Sequence, residues 1–408
     1  VKRHSVVICG GGPSGISTAL FLVHAAPEFA DRIVVLERDH YPREKYCAGA
    51  LGNRADQLLA SIDVKIDVPS VRIDGAALRV LGKTTIVREA GIGRVVRRLE
   101  FDHALARVAA ERGIAVREGV RVLGVREHAP PAAGVTVTTS DGDVDADYVV
   151  GADGVESVVR RALGLPLPPH RAQALEVDTE HAPGDLPRDM LLFDLSRADL
   201  PGYYWEFPTI VDGRERVCRG VYYLKSYDAR SRLEIDGVLA DELTRRGLAL
   251  QNYKKKRYAE RGFAIGAPIA TARSILVGEA AGIDPVTGEG IAQAIQYGAA
   301  AGAYLAKKLR SDPAVCSDWP RAVSRSAIGR DLLVRSSAVD LTFGRYRPAF
   351  ERFLLDTPEF LRVGLRHFGG RRMDKPLVAR AAVKAVSFAA RTFVLRDGLS
   401  RARAGGLP

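Results

Sequence analysis

Three glycines near the start of the chain, Gly10, Gly12 and Gly15, follow a short apolar run at 6–9 and precede a longer one at 16–26. Strand, glycine turn and helix in that order are the setting in which G-x-G-x-x-G has chemical meaning. The first glycine makes the tight turn, the second lets a pyrophosphate approach the backbone, and the third lets helix and strand pack closely. The helix start offers unpaired N–H groups and the positive end of its dipole to phosphate. The next apolar run, 32–37, ends in Glu37, about twenty positions beyond the glycines, where a carboxylate accepts the hydroxyls of an adenosine ribose. Glycine-rich turns also arise for purely conformational reasons. It is the flanking strand, the helix and Glu37 together that predict a dinucleotide site.

Other chemistries find little support. No Ser/His/Asp, H-E-x-x-H or phosphate-loop pattern is present, and the eight histidines are dispersed. His103 falls on a helix face and His367 in the C-terminal region, as solvated or capping residues. Cys9, Cys47, Cys218 and Cys316 lack C-x-x-C or other metal spacing, so neither a disulfide framework nor a metal site is expected. A reducing, cytoplasmic setting fits that usage.

These residues need elements to hold them. At 408 residues the chain exceeds one simple core, and two closely joined domains are the expected organisation. A helix is predicted at 53–62. Short strands of a second domain follow within 70–94, where Val71, Ile73, Thr85 and Val87 alternate between breaks at Gly75, Gly82 and Gly91. A helix at 101–112 stops at Gly113 and returns the chain to the first domain. Alternating apolar residues at 120–125, 134–138 and 144–148 predict an antiparallel excursion, and 148–154 re-enters the main sheet. A helix follows at 156–163, and prolines at 166–169 mark a boundary. Aromatic-rich strands at 190–194, 203–208 and 217–224, interrupted by one helix near 232–246, form a mostly antiparallel region. A strand and glycine turn at 274–282, a small-residue helix at 291–309 and a basic helical C-terminal region complete the chain.

Hydrophobic residues make up 47% and charged residues 27%, as in ordinary globular proteins. The net charge of +11 favours acidic partners such as phosphorylated cofactors or anionic lipid. The run Lys254 to Arg257 reads as a solvated face, and no nucleic-acid motif accompanies it. No run approaches the roughly eighteen uninterrupted apolar residues of a membrane span. Residues 376–395 carry spaced cations among apolar positions. That pattern suits a helix covering the second domain or one lying at a membrane surface. Chain-end disorder is expected at 400–408.

Three segments, Gly10 to Gly15 with Glu37, Gly151 to Arg160, and Gly278 to Ile291, stand in one order and separation. Together they resemble the FAD-binding signatures of the aromatic-hydroxylase class of flavoproteins, over most of residues 1–310. The resemblance implies FAD, with electrons from NAD(P)H or a reductase partner. It implies an α/β fold: a Rossmann-like FAD-binding domain (1–70, 95–165 and 264–310) interleaved with a mixed, mainly antiparallel β-sheet substrate domain (71–94 and 166–263), plus C-terminal helices (311–408). Gly10, Gly12, Pro13, Ser14 and Gly15 would line the pyrophosphate, Glu37 the adenosine ribose, and Arg98 both, with Arg38 a further cofactor-binding residue. Asp153 would brace the nucleotide site beside Val122. Gly278 and Glu279 take the place of a Gly-Asp pair whose aspartate accepts a ribityl hydroxyl. Gly288, Gly290 and Ile291 would turn backbone N–H groups and a helix dipole toward the flavin ring.

Two segments narrow the subfamily. Glu44 to Leu51, with Lys45, Cys47 and Ala48, resembles the K-x-C-G-G segment of geranylgeranyl reductases, and Tyr203 to Pro208 their Y-x-W-x-F-P-K motif, with Thr209 in place of lysine. The likeness implies Cys47 beside the isoalloxazine as a catalytic candidate, and Tyr203, Trp205 and Phe207 in the wall of an apolar substrate channel. A buried inert thiol and plain core packing are the alternatives. Gly202, Trp205 and Pro208 also fit, loosely, a halogenase motif, for which Lys83 is the one lysine in a suitable segment. The expected activity is reduction of C=C bonds in an isoprenoid or prenylated substrate; the alternative is monooxygenation, or halogenation, of an aromatic or prenylated metabolite.

Overall fold

The computed structural model describes residues 4–129, 133–225, 233–311 and 315–390. The expected features at 400–408 lie outside the described residues, as do 391–395 of the apolar C-terminal stretch.

Two sheets organise the molecule. The first centres on the opening strand, His4–Cys9, paired in parallel with Ile33–Leu36 on one side and Gly142–Gly151 on the other. Ala115–Arg117 extends one edge in parallel, and Val135–Thr139 and Val122–Glu127 continue the other as an antiparallel meander. Ser274–Leu276 adds in parallel to the far half of Gly142–Gly151. Val6 to Cys9 and Ile33 to Val35 are fully buried, as a parallel strand covered on both faces requires.

The second sheet has eight strands and runs from Lys256–Arg261 at one edge, through Arg171–Thr179, Arg214–Leu224, Gly202–Val211 and Met190–Asp194, to Ser70–Val80, Lys83–Val96 and Ala50–Gly52. All its pairings are antiparallel except that of Met190–Asp194 with Ser70–Val80. The short strands expected within 70–94 are instead one long hairpin. Its glycines do not interrupt it: Gly82 is in the turn, and Gly75 sits at a register slip where a Cβ would meet the Met190 sulfur at 2.7 Å. A glycine inside a strand accommodates a bulge or a close neighbour as readily as it ends one.

The opening helix, Pro13–Ala25, and the long helix, Ile291–Leu309, lie against each other over most of their length. A Cβ on Gly298 would sit 2.4 Å from Ser17 Cβ, and one on Gly302 would sit 2.6 Å from the Leu22 backbone nitrogen. One turn further along one helix is one turn further along the other, so the two run parallel. Their N-termini therefore point the same way.

The C-terminal helices close the second sheet. Phe343, Phe350, Phe353 and Leu354 join the core formed by Ile73, Leu191, Trp205 and Tyr222. Arg347, itself buried, donates to the carbonyls of Leu195 (2.6 Å), Arg197 (2.9 Å) and Leu200, which pins these helices to the loop after Met190–Asp194. The last described helix, Lys375–Ala389, buries Leu377 and Ala381 but leaves Val383 and Val386 exposed. Among the described residues no helix is long and apolar enough to cross a membrane.

Gly298→Val forces branched carbons into a contact that excludes even one. Overpacking of this kind costs about 1–3 kcal/mol. The variant is expected to unfold at lower denaturant than the wild type; an unchanged midpoint would contradict the contact.

Candidate functional site

A cavity of about 450 Å³ opens where the two sheets meet. At one end it is bordered by the glycine turn, Glu37 and Arg98. At the other it is bordered by Cys47, Tyr258, Glu260 and the start of the long helix at Gly290. Gly12 caps the opening helix and Gly290 the long helix, and neither end carries a side-chain cap. Two sets of unpaired backbone N–H groups and two positive dipole ends thus face one space.

The turn is built as its spacing predicts. Gly10 adopts φ +110°, and a Cβ there would lie 2.4 Å from the Ala152 carbonyl. A Cβ on Gly15 would lie 1.9 Å from the Gly10 carbonyl oxygen, so helix and strand pack with no room for a side chain. A Cβ on Gly12 would meet only the guanidinium nitrogens of Arg98 and Arg43, at 3.9 and 4.0 Å. An incoming group meets backbone and two cations.

Those cations are fixed by buried carboxylates. Asp102, 1% exposed, accepts from Arg98 at 2.6 and 2.7 Å and from Arg43 at 3.1 Å. Glu37 accepts from Gly11 N–H (3.0 Å), Asp39 N–H (3.1 Å) and Arg43 (3.2 Å). Burial works against the charge of Arg98, and the Asp102 pair more than restores it. Charge-assisted pairs of this geometry hold guanidinium forks in place.

At the opposite end, the turn from Asp284 to Gly290 is held from three sides. Asp284 accepts from Val286 N–H (2.7 Å), the Thr287 hydroxyl and Arg335, while its own N–H donates to Gln293 (2.8 Å). From the second sheet, Tyr222 donates to the Pro285 carbonyl at 3.1 Å and Tyr203 to that of Thr287. From the C-terminal helices, Arg335 also reaches Glu289 (2.9 Å) and Asp331 (3.1 Å). Burial works against the charge of Asp331, but the bond to His367 and the charges of Arg335 and Arg54 hold its carboxyl well below the usual range. His367, expected to be a solvated or capping residue, is therefore part of this ion-pair network.

Residues 3–315 match the family model for an FAD binding domain. The chain belongs to that family. It is an FAD-dependent oxidoreductase. A menaquinone reductase of Mycobacterium tuberculosis is 28% identical over 393 residues, spanning 88% of this chain and 90% of that protein. A geranylgeranyl bacteriochlorophyll reductase-like protein from Thermoplasma acidophilum superimposes with a TM-score of 0.75 at 22% identity, over 96% of this chain and 97% of that one. A flavin-dependent brominase does so with a TM-score of 0.71 at 17% identity, over 95% and 99%.

The site's chemistry fits FAD. Two arginines and an open helix start suit a diphosphate, and a second open helix start suits an electron-accepting ring. Of the residues singled out from sequence, Gly10, Gly12, Pro13, Ser14, Glu37, Arg38, Arg98, Val122 and Asp153 border the cavity at the glycine-turn end. Lys45, Cys47, Glu279, Gly288, Gly290 and Ile291 border it toward the other. Asp153 accepts from Ser157 (2.6 Å) and Val159 N–H (3.0 Å), bracing the start of the helix Val158–Ala162.

Others stand elsewhere. Gly15 and Gly278 are packing positions, a Cβ on the latter lying 2.7 Å from the Ser14 hydroxyl. Ala48 packs on the core of the second sheet. Tyr203, Trp205 and Phe207, expected in a channel wall, are 7%, 3% and 5% exposed and belong to that core, which Phe343, Phe350 and Phe353 of the C-terminal helices also join. Lys83 is exposed at the hairpin tip. The run from Lys254 contributes pairs rather than a bare cationic face: Lys256 reaches Asp178 and Glu176, and Lys255 and Arg257 reach Asp236.

Arg43, Tyr222 and Glu260 were not singled out from sequence. Arg43 lies in an irregular loop, with its partner Asp102 on a distant helix. Glu260 did carry a signal. It shares a strand face with Lys256 and Tyr258, and a charge on the inward side of an edge strand is unusual.

Burial pushes the Cys47 thiol up to about 11, with Arg98 only partly opposing it. Cys47 therefore offers a neutral S–H at pH 7. In FAD-free protein, iodoacetamide labelling of the Cys47 peptide is expected to be slow at pH 7 and to rise about tenfold per pH unit up to pH 9. Rapid labelling at pH 7, measured by mass spectrometry, would show a thiolate. Arg335→Met removes the shared partner of Asp284 and Glu289. Breaking a buried pair in this way costs about 3–5 kcal/mol. The variant is expected to lose that much stability in a denaturant titration and to hold FAD more weakly.

Proposed function

We propose that this protein reduces C=C bonds of an isoprenoid or prenylated small molecule, with electrons delivered to its FAD by NAD(P)H or a reductase partner. One observation carries the reading: the Lys45–Tyr46–Cys47 segment, the part of the sequence that most resembles geranylgeranyl reductases, borders the same cavity as Gly288, Gly290 and Ile291. The 28% identity to a menaquinone reductase across nearly the whole chain supports it, menaquinone being named as that enzyme's substrate. The halogenase alternative asks for a lysine near the ring, and Lys83 lies exposed on a hairpin tip.

In this reading Arg98, Arg43 and the N–H groups at Gly12 hold the diphosphate, while Glu37 accepts the ribose hydroxyls beside Arg38. Lys45, Cys47, Ile291 and the Gly288–Gly290 backbone face the ring. Bound and reduced FAD supplies a hydride equivalent. The chain's own work is to fix the ring, to present the positive end of the long helix to it, and to line the substrate side with Tyr258, Ile283 and the neutral Cys47. The domains follow the two sheets, with the nucleotide on the first and substrate against the second.

Reduced enzyme incubated with a geranylgeranyl lipid in the absence of O₂ is expected to yield a product two hydrogens heavier and one C=C bond poorer. A product heavier by one oxygen, formed only with O₂, would replace the reading with monooxygenation. A protein that cannot be reconstituted with FAD would sink both.

A further inference from the structure

We propose that Glu260 is the acid of this site, the group that delivers the proton completing C=C saturation. The inference rests on the reductase reading above.

Glu260 stands near the end of the edge strand Lys256–Arg261, opposite Ala172, and its side chain borders the cavity. It hangs over the turn that leads into the long helix. A Cβ on Gly288 would lie 2.5 Å from Glu260 Oε2, and Gly288 has φ +67°, so glycine there leaves the carboxyl its place. That same Oε2 is shielded from solvent and has no hydrogen-bond partner among the described residues. A buried polar atom without a partner costs stability, and its presence in a cleft points to a ligand or a reaction.

The neighbouring tyrosines and most of the neighbouring acids are committed elsewhere. Tyr203 and Tyr222 spend their hydroxyl protons on the carbonyls of Thr287 and Pro285, and Tyr258 donates to Glu176 at 3.1 Å. Asp284 is held by Arg335, Thr287 and Val286 N–H. Glu176 also has Lys256 at 3.7 Å. Glu279 also borders the cavity, its Oε2 3.6 Å from the position a Cβ would take on Gly154, and it leaves no buried oxygen without a partner among the described residues. Glu260 alone of these groups combines a cavity position with a buried oxygen left over.

Its protonation state suits the role. Burial, with added repulsion from Glu279, Asp284 and Glu176 and partial relief from Lys45, lifts its carboxyl well above the usual range. A carboxyl kept neutral by desolvation and like charge is a proton donor at pH 7. In the reaction the π bond breaks and two C–H bonds form, one carbon taking a hydride from reduced FAD and the other the Glu260 proton. Two electrons pass from FAD to the substrate, and the Glu260 carboxylate regains its proton from water.

The test compares wild type, Glu260→Gln and Glu260→Asp as holoenzymes, with FAD content and thermal midpoint checked first. Without O₂, saturation of a geranylgeranyl lipid by Glu260→Gln is expected to fall about 10²-fold or more, the usual contribution of a general acid. Glu260→Asp should recover part of the rate. A second readout needs no turnover: infrared difference spectra of FAD-free wild type at neutral pH should show a protonated carboxyl C=O band that Glu260→Gln lacks. Saturation by FAD-loaded Glu260→Gln at the wild-type rate, or absence of that band, overturns the assignment. Wild type that shows the band yet saturates no C=C takes down the reductase reading, and the proton-donor role with it.

Discussion

The contact between the two parallel helices, Pro13–Ala25 and Ile291–Leu309, sets the rest of the site. Glycine at 298 and 302 lets backbone meet backbone where side chains ordinarily keep helices about 8–10 Å apart. The helices leave different strands of the same sheet, nearly the whole first domain apart in sequence. Their close parallel fit brings both N-termini to one cavity. Each terminus would be an ordinary exposed end elsewhere. Side by side, uncapped and sharing a low-dielectric wall, their partial charges add.

The charge of +11 looks different once the ion pairs are placed. The cations that matter are not spread over the surface. Arg98 and Arg43 are folded in behind the glycine turn and held by Asp102 and Glu37, so the turn has two fixed cations beside it. The overall charge of the chain would not have shown this, since it sums over pairs that cancel locally.

How legible this was in the sequence depends on whether a residue's job is local. Strand His4–Cys9, its glycine turn and the helix start are set by neighbours in the chain, and the long helix runs from Ile291 to Leu309 where its small-residue pattern predicts it. The second sheet was legible as aromatic strands, because alternation is also local. What escaped was long-range. Gly75 is a bulge and not a break because Met190 comes to lie against it. Tyr203, Trp205 and Phe207 look alike as channel wall or core, and the core they belong to is completed by Phe343, Phe350 and Phe353 from far down the chain. Arg43 gains its role from Asp102, and His367 from Asp331.

The turn from Asp284 to Gly290 belongs by sequence to the first sheet, yet its carbonyls are held by tyrosines of the second and its acids by Arg335 of the C-terminal helices. The aromatic strand therefore acts on the site without bordering the cavity. It fixes the backbone over which Glu260 sits, and through the Tyr203–Tyr222 stack, with ring centroids 5.1 Å apart, the two hydroxyls are fixed relative to each other. A change in that core would be felt at Gly288 as a displacement of the turn before it was felt as a change of pocket shape. The aromatic strand and the glycine-rich turn are thus mechanically joined in this chain: one sheet holds still the loop of the other.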